Sequence, residues 1–217
     1  MHEVLRTAEV AVFDDVLSGQ DLSALRRAAE RVPFESVHRE GGHQAWRLHD
    51  GDPFRGHGAW LPMVSDGAEA AKEPSDFEKA RAPFVEVLRR VVPTECASLI
   101  EEPNSVSVAP WIYPAGSALS LHRDAVAYKG SYSFYFHGEW RLHWGGWLLV
   151  ADDAGEPTRR RVFDEAAEPP PSASRGHWVA PMPNRLVVLS PCADHLIARV
   201  DPAAGSALRL SIAGFFS

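Results

Sequence analysis

Apolar residues recur at helical spacing in two stretches of the first hundred residues and at alternate positions through much of the remaining chain. Leu22, Leu25, Ala29 and Val32 come after Ser18 and Asp21, a hydroxyl three residues ahead of an acid, and the run stops at Pro33. That combination predicts a helix with a side-chain start signal and a proline stop. A second stretch opens at Ser75 and Glu78 and carries Phe77, Phe84, Leu88 and Val91 on one stripe before Pro93. Pro83 lies inside it and predicts a kink or a fresh start, because its ring removes an N–H and collides with the preceding turn. From about residue 98 the period falls to two, in short runs separated by Gly, Pro, Asp and Asn. Strands are predicted over 105–113, 118–122, 132–137, 147–151, 185–189, 196–200 and 208–215. Helices first and strands afterwards predict an α+β domain whose helices pack on one face of a β-sandwich or barrel.

Composition narrows the class. The chain has 217 residues, 45% hydrophobic and 24% charged, proportions that suit one folded domain able to bury a core without disulfides or structural metal. A single domain over 1–217 is expected, with about 1–97 as helical support and loops and about 98–217 as the strand-rich core. The one low-complexity stretch, 165–174, contains Pro169, Pro170 and Pro171 and predicts an extended surface connector. Cys96 and Cys192 stand far apart without a CxxC pair, which argues against a disulfide framework and a zinc ribbon. No apolar run approaches the roughly 20 residues of a membrane span, and Met1, His2 and Glu3 do not begin a signal peptide. A cytoplasmic protein without a membrane partner is therefore expected. Twenty-two basic against 29 acidic residues leave a net charge of −7, and with no basic block a nucleic-acid partner is not expected.

The chemistry concentrates in the strand-rich half. On a strand, residues i and i+2 project to one face, so His122 and Asp124 could offer a nitrogen and an oxygen to one metal ion. His195, 73 residues downstream and between two apolar runs, is the third candidate ligand. Two histidines and a carboxylate that leave further positions open suit non-haem Fe(II) enzymes that bind a cosubstrate and O2. Arg209 adds a cation to the apolar run 208–212. Taken alone it is equally well explained by a structural salt bridge; with the other three residues it reads as the anchor of a dicarboxylate, which its planar fork suits.

In the order YPAG at 113–116, LHRD at 121–124, YFHGEW at 135–140, GGWL at 145–148, His195, and RLSIAGFF at 209–216, roughly residues 100–217 resemble the Fe(II)/2-oxoglutarate-dependent dioxygenases of the prolyl-4-hydroxylase type. The resemblance implies a double-stranded β-helix, a cupin-like jelly-roll core with N-terminal supporting helices. It implies His122, Asp124 and His195 as Fe(II) ligands and Arg209 as the partner of the distal carboxylate of 2-oxoglutarate. Tyr135 resembles the family's second contact to that carboxylate, and Tyr113 a tyrosine lining the same pocket; both also read as packed core tyrosines. The implied reaction is hydroxylation of a C–H bond using O2, and Asp124 stands where halogenating relatives carry a small residue.

Some positions depart from the pattern. Trp147 follows the glycine pair where a short polar residue is usual, implying a bulkier pocket wall. The 14 residues from His195 to Arg209 make a slightly long interval, which the turn at 201–205 would absorb. His137, His143 and His177 match no family ligand and read as surface or supporting groups, and Trp140, Trp144 and Trp147 as core or rim. The segment 41–66, with Trp46 and Trp60, reads as an ordered loop over a site mouth or a surface loop pinned by its tryptophans. A small-molecule substrate such as an amino acid or natural-product intermediate is expected; a peptidyl or protein residue hydroxylase and a non-catalytic cupin-like binding module are the alternatives.

Overall fold

Both predicted helices begin where their start signals lie. Ser18 accepts the Asp21 amide at 3.1 Å and opens α1, Gly19–Ala29, whose Leu22, Leu25, Ala28 and Ala29 are buried. Ser75 accepts the Glu78 amide at 3.3 Å while the Glu78 carboxylate accepts the Ser75 amide at 2.8 Å, a reciprocal cap for α2, Asp76–Glu95. The computed structural model describes residues 1–39, 46–64, 73–152, 175–191 and 193–217. The predicted connector 165–174 and Cys192 lie outside the described residues.

Pro83 does not mark a fresh start, since α2 is one helix containing both Pro83 and Pro93. Packing overrides the lost backbone bond: Phe84, Val85 and Leu88, just past the proline, are all buried, and Phe84 stacks on Phe134 of the sheet at 4.4 Å. Helical stability of this kind comes from the buried face rather than from local propensity.

The remainder is mostly sheet. The larger sheet contains β1 (His2–Arg6), β2 (Val10–Asp14), β11 (Arg185–Leu189), β8 (Gly130–Tyr135), β13 (Arg209–Phe216), β6 (Ser105–Tyr113), β4 (Phe54–Gly56) and β3 (Phe34–Ser36) in that spatial order, with β5 (Ala59–Pro62) also on β6. The smaller sheet runs β10 (Gly176–Val179), β9 (Leu148–Ala151), β12 (Asp194–Ile197), β7 (Leu119–Arg123). The first half of the chain is therefore not only helical support and loops: β1 to β5 extend the larger sheet, and β2 is buried between β1 and β11. From β6 onward the chain passes repeatedly between the two sheets.

Strand alternation divides the apolar residues between two cores. Phe134, Leu186, Val188, Ile212 and Phe216 face α1 and α2. Tyr135, Val187, Leu189, Trp111 and Tyr113 on the opposite face pack with Leu119, Leu148, Val150 and Ile197 of the smaller sheet. The result is helices on the larger sheet and the smaller sheet on its other side.

At Gly214, β13 lies close against β6. A Cβ there would lie 1.8 Å from the Ser107 carbonyl oxygen, backbone that cannot swing aside. Gly214→Ala should cost at least the roughly 1–3 kcal/mol typical of overpacking, read as a lower urea midpoint. An unchanged midpoint would show that β6 and β13 separate freely.

Candidate metal centre and carboxylate pocket

The smaller sheet places His122 directly opposite His195 across the antiparallel pair β7–β12. One step further along, Arg123 is opposite Asp194 and makes a fork of two 3.0 Å hydrogen bonds to it. Neighbouring residues of a strand point to opposite faces, so this ion pair ties the two strands together behind the histidines. β7 carries an irregularity: His195 and Ile197 pair with His122 and Leu119, so one intervening residue on β12 faces two on β7. The extra residue lets Leu119, which packs in the inter-sheet core, and His122 face the same side despite their odd spacing, the usual effect of a β-bulge.

Asp124 follows β7 directly and completes the group: ligand atoms of His122, Asp124 and His195 lie within 4.8 Å of one another. The Asp124 oxygens are 3.7 Å from His122 Nε2 and 4.0 Å from His195 Nε2. Each ring directs its other nitrogen to a backbone carbonyl, His122 Nδ1 to Ser120 at 2.9 Å and His195 Nδ1 to Ala193 at 3.0 Å. A carbonyl only accepts, so Nδ1 holds the proton and both Nε2 lone pairs turn toward Asp124, the arrangement of metal-ligating histidines. Burial, reinforced by His195, holds His122 well below the ordinary histidine range, which favours the neutral ligand form. Asp124 is buried, and among the described residues only these two histidines lie within ion-pair distance of it. Two nitrogens and one carboxylate oxygen on one side of a buried cluster fit a first-row divalent ion with open positions.

Arg209 enters from the larger sheet at the start of β13, opposite Tyr113 of β6. It is 1% exposed, and among the described residues no carboxylate lies within 4.0 Å of it. Nε donates to the Gly146 carbonyl at 2.9 Å and Nη2 to the Tyr135 hydroxyl at 3.3 Å, while the guanidinium carbon is 4.7 Å from the Tyr135 ring and 5.1 Å from that of Tyr113. The structural salt bridge open to Arg209 on sequence grounds is thus absent among the described residues. The guanidinium is thus held by two aromatic faces and neutral acceptors, with no counter-charge beside it among the described residues. Burial raises the Tyr135 and Tyr113 hydroxyls above the ordinary tyrosine range, with Arg209 opposing, so both remain protonated donors at neutral pH.

Further residues enclose the pocket. Trp46 stacks on Trp111 at 4.8 Å and donates its Nε1–H to the Tyr113 hydroxyl at 3.2 Å, joining its loop to the inter-sheet core; residues 41–45 and 65–66 of the predicted loop lie outside the described residues. The interval from His195 to Arg209 is absorbed by a 3-10 turn, Pro202–Ala204, capped by Asp201 and closed by Gly205 at φ 58°. Trp147 does not wall the pocket as expected; it packs at 5.5 Å from Trp178, which is half exposed, and donates to the Leu142 carbonyl at 3.0 Å. The reason is strand parity, because Leu148 and Val150 of β9 face the core. Trp140 is core and meets Trp144 edge-on at 5.5 Å. His143 is exposed and His177 lies 3.5 Å from Asp152.

His137 is no surface group. It is 2% exposed, with Nδ1 at 3.1 Å from the Leu210 carbonyl and Nε2 at 2.6 Å from that of Pro181. Burial lowers it to about 4; the Pro181 carbonyl opposes and nearby Arg209 assists.

Neither a family model nor a curated protein matches the sequence. Solved structures do. A prolyl-4-hydroxylase from Pseudomonas putida superposes with a TM-score of 0.54 at 19% identity, over 95% of this chain and 91% of that one. An oxidoreductase of the 2OG-Fe(II) oxygenase family from Burkholderia pseudomallei gives 0.58 at 15% identity, over 96% and 84%. The fold is that of the 2OG-Fe(II) oxygenases. A Trichoplax adhaerens prolyl hydroxylase, solved with a hypoxia inducible factor peptide fragment, gives 0.58 at 15% identity, over 97% of this chain and 84% of its own. Of the residues singled out from sequence, His122, Asp124 and His195 come together in one group, and Arg209 lies against Tyr135 and Tyr113. The contacts of Asp50 with Ser120 and of Ser120 with His122 have no counterpart in the sequence reading; an aspartate within the sequence LHDGD at 48–52 carries only a turn signal.

Proposed function

We propose that the protein is an Fe(II)- and 2-oxoglutarate-dependent dioxygenase that hydroxylates a C–H bond, built on a double-stranded β-helix, or jelly-roll, core formed by the two sheets. The observation carrying this reading is the pairing of a buried His122–Asp124–His195 cluster with a buried Arg209 that has no carboxylate partner among the described residues. Iron and 2-oxoglutarate, when bound, supply the oxidising power that places one atom of O2 in the substrate and the other in succinate, with release of CO2. The chain's own residues do the rest. His122, Asp124 and His195 hold the ion on one side and leave its other side open. Arg209 binds the distal carboxylate and Tyr135 donates its hydroxyl to it, which fixes the direction of the cosubstrate chain. Trp46, Trp111 and Tyr113 exclude water around it.

For the substrate we favour a small molecule such as an amino acid or natural-product intermediate, because the Trp46–Trp111 stack narrows the space beside Tyr113. A peptidyl residue is the second reading. It is favoured by the row Phe215, Tyr128 and Trp60, with ring centroids 4.3 and 6.2 Å apart and Trp60 half exposed, aromatic faces of the kind that contact peptides. No helix among the described residues is long and apolar enough to cross a membrane.

Fe(II)-dependent conversion of 2-oxoglutarate to succinate without added substrate tests the reaction class, and its absence in iron-loaded protein would leave the non-catalytic cupin-like module. A screen of amino acids, carrier-bound amino acids and peptides for the gain of one oxygen atom then separates the substrate classes. Asp124 would hold a position on the ion that a halide would otherwise need, so the product in excess chloride should carry oxygen from 18O2 and no chlorine.

A further inference from the structure

The turn behind His122 contains a buried carboxyl group that the proposed reaction does not use. Asp50 ends a 3-10 turn, Leu48–Asp50, and is 2% exposed. One carboxylate oxygen accepts the Arg47 amide at 2.9 Å and the other the Ser120 hydroxyl at 2.6 Å. Its carbonyl accepts the Ala118 amide at 2.7 Å. Gly51 follows at φ 77°, and a Cβ there would lie 2.5 Å from the Gly116 carbonyl oxygen. The turn is therefore pressed against the chain entering β7, with no room for a side chain. His49 Nε2 lies 3.1 Å from Ser120 Oγ. Because the hydroxyl proton is directed to Asp50, His49 is the donor there.

Ser120 sits in the bulge of β7, and its carbonyl holds His122 Nδ1 at 2.9 Å. We propose that Asp50 is a positioning residue for the metal centre: its carboxylate anchors Ser120, and Ser120 sets the tautomer and direction of His122. The proposal rests on reading His122 as a metal ligand. The Arg47 amide would satisfy a carboxylate serving the turn alone at one oxygen, whereas the second oxygen reaches across to the ligand strand. Outer partners of ligating histidines fix ring orientation, and their loss costs about ten- to a hundredfold in metal affinity.

Co(II) titration by visible absorbance, without 2-oxoglutarate, tests this on Asp50→Ala, Ser120→Ala, the double variant and Ser120→Thr. Each alanine variant should bind Co(II) about ten- to a hundredfold more weakly. The double variant should be no weaker than Asp50→Ala, since both residues act along one route, and Ser120→Thr should recover native affinity and spectrum. Native Co(II) affinity in a folded Asp50→Ala protein overturns the proposal, and so do additive losses in the double variant. If Asp50→Ala fails to fold, equal affinities of Ser120→Ala and Ser120→Thr overturn it. Failure of the underlying reading is distinguishable, because His122→Ala would then bind Co(II) as the native protein does.

Discussion

Replacing His195 by Ala should remove divalent-metal binding and, with it, all succinate formation. The imidazole stands directly opposite His122 in the β7–β12 pair, and its Nδ1–H is held by the Ala193 carbonyl so that Nε2 faces Asp124. No other His, Cys, Asp or Glu joins the three-residue group among the described residues, so nothing stands ready to replace the lost nitrogen. The loss in metal affinity should exceed the roughly hundredfold upper effect of removing an outer partner. The fold should survive, because the Arg123–Asp194 fork on the other face still joins the strands. Metal titration and circular dichroism on the same sample check this. Retained stoichiometric binding in folded His195→Ala protein would place the ion elsewhere.

The ease of reading this site from sequence has a physical basis. His122 and Asp124 are two residues apart at the end of a strand, so period-two geometry alone puts them on one side. Arg209 is legible because a cation in an apolar run needs an explanation. What spacing cannot supply is the pairing of His122 with His195, since register between strands 73 residues apart is set by turns and packing; there the motif resemblance carries the inference. The bulge in β7 is equally hidden. A strict alternation through Leu119 would place His122 on the opposite face, and only the two-against-one register explains how both turn inward.

Asp50 illustrates the opposite case. Its role depends on a contact with Ser120, 70 residues away, and a short loop segment has no periodicity to reveal one. The same holds for β3, β4 and β5, of three or four residues each, too short to display alternation before their partners are known. β2 is buried throughout except at Asp14, an apolar run that periodicity cannot assign to helix or strand. Trp147 departs from expectation for a related reason: the motif gives its neighbours in sequence, but the parity of β9 decides which way it points.

Arg209→Ala should raise the KM for 2-oxoglutarate about ten- to a hundredfold, the equivalent of one charge-assisted hydrogen bond of roughly 1.5–3 kcal/mol. The reason lies in what the guanidinium lacks. Its bonds to Gly146 and Tyr135 are to neutral acceptors, and no carboxylate among the described residues balances a cation that is 1% exposed. Burying an unpaired charge is costly, and under the proposed reading the distal carboxylate of 2-oxoglutarate would balance it. Metal binding should persist in the variant, because His122, Asp124 and His195 take no bond from Arg209. Tyr135→Phe should show a smaller rise, since it removes a neutral donor and leaves the charge. Arg209→Lys separates charge from shape: an ammonium retains the attraction and loses the planar fork, so its KM should fall between native and alanine values. A native KM in folded Arg209→Ala protein would mean that the cosubstrate binds elsewhere and that the aromatic cradle serves only the core.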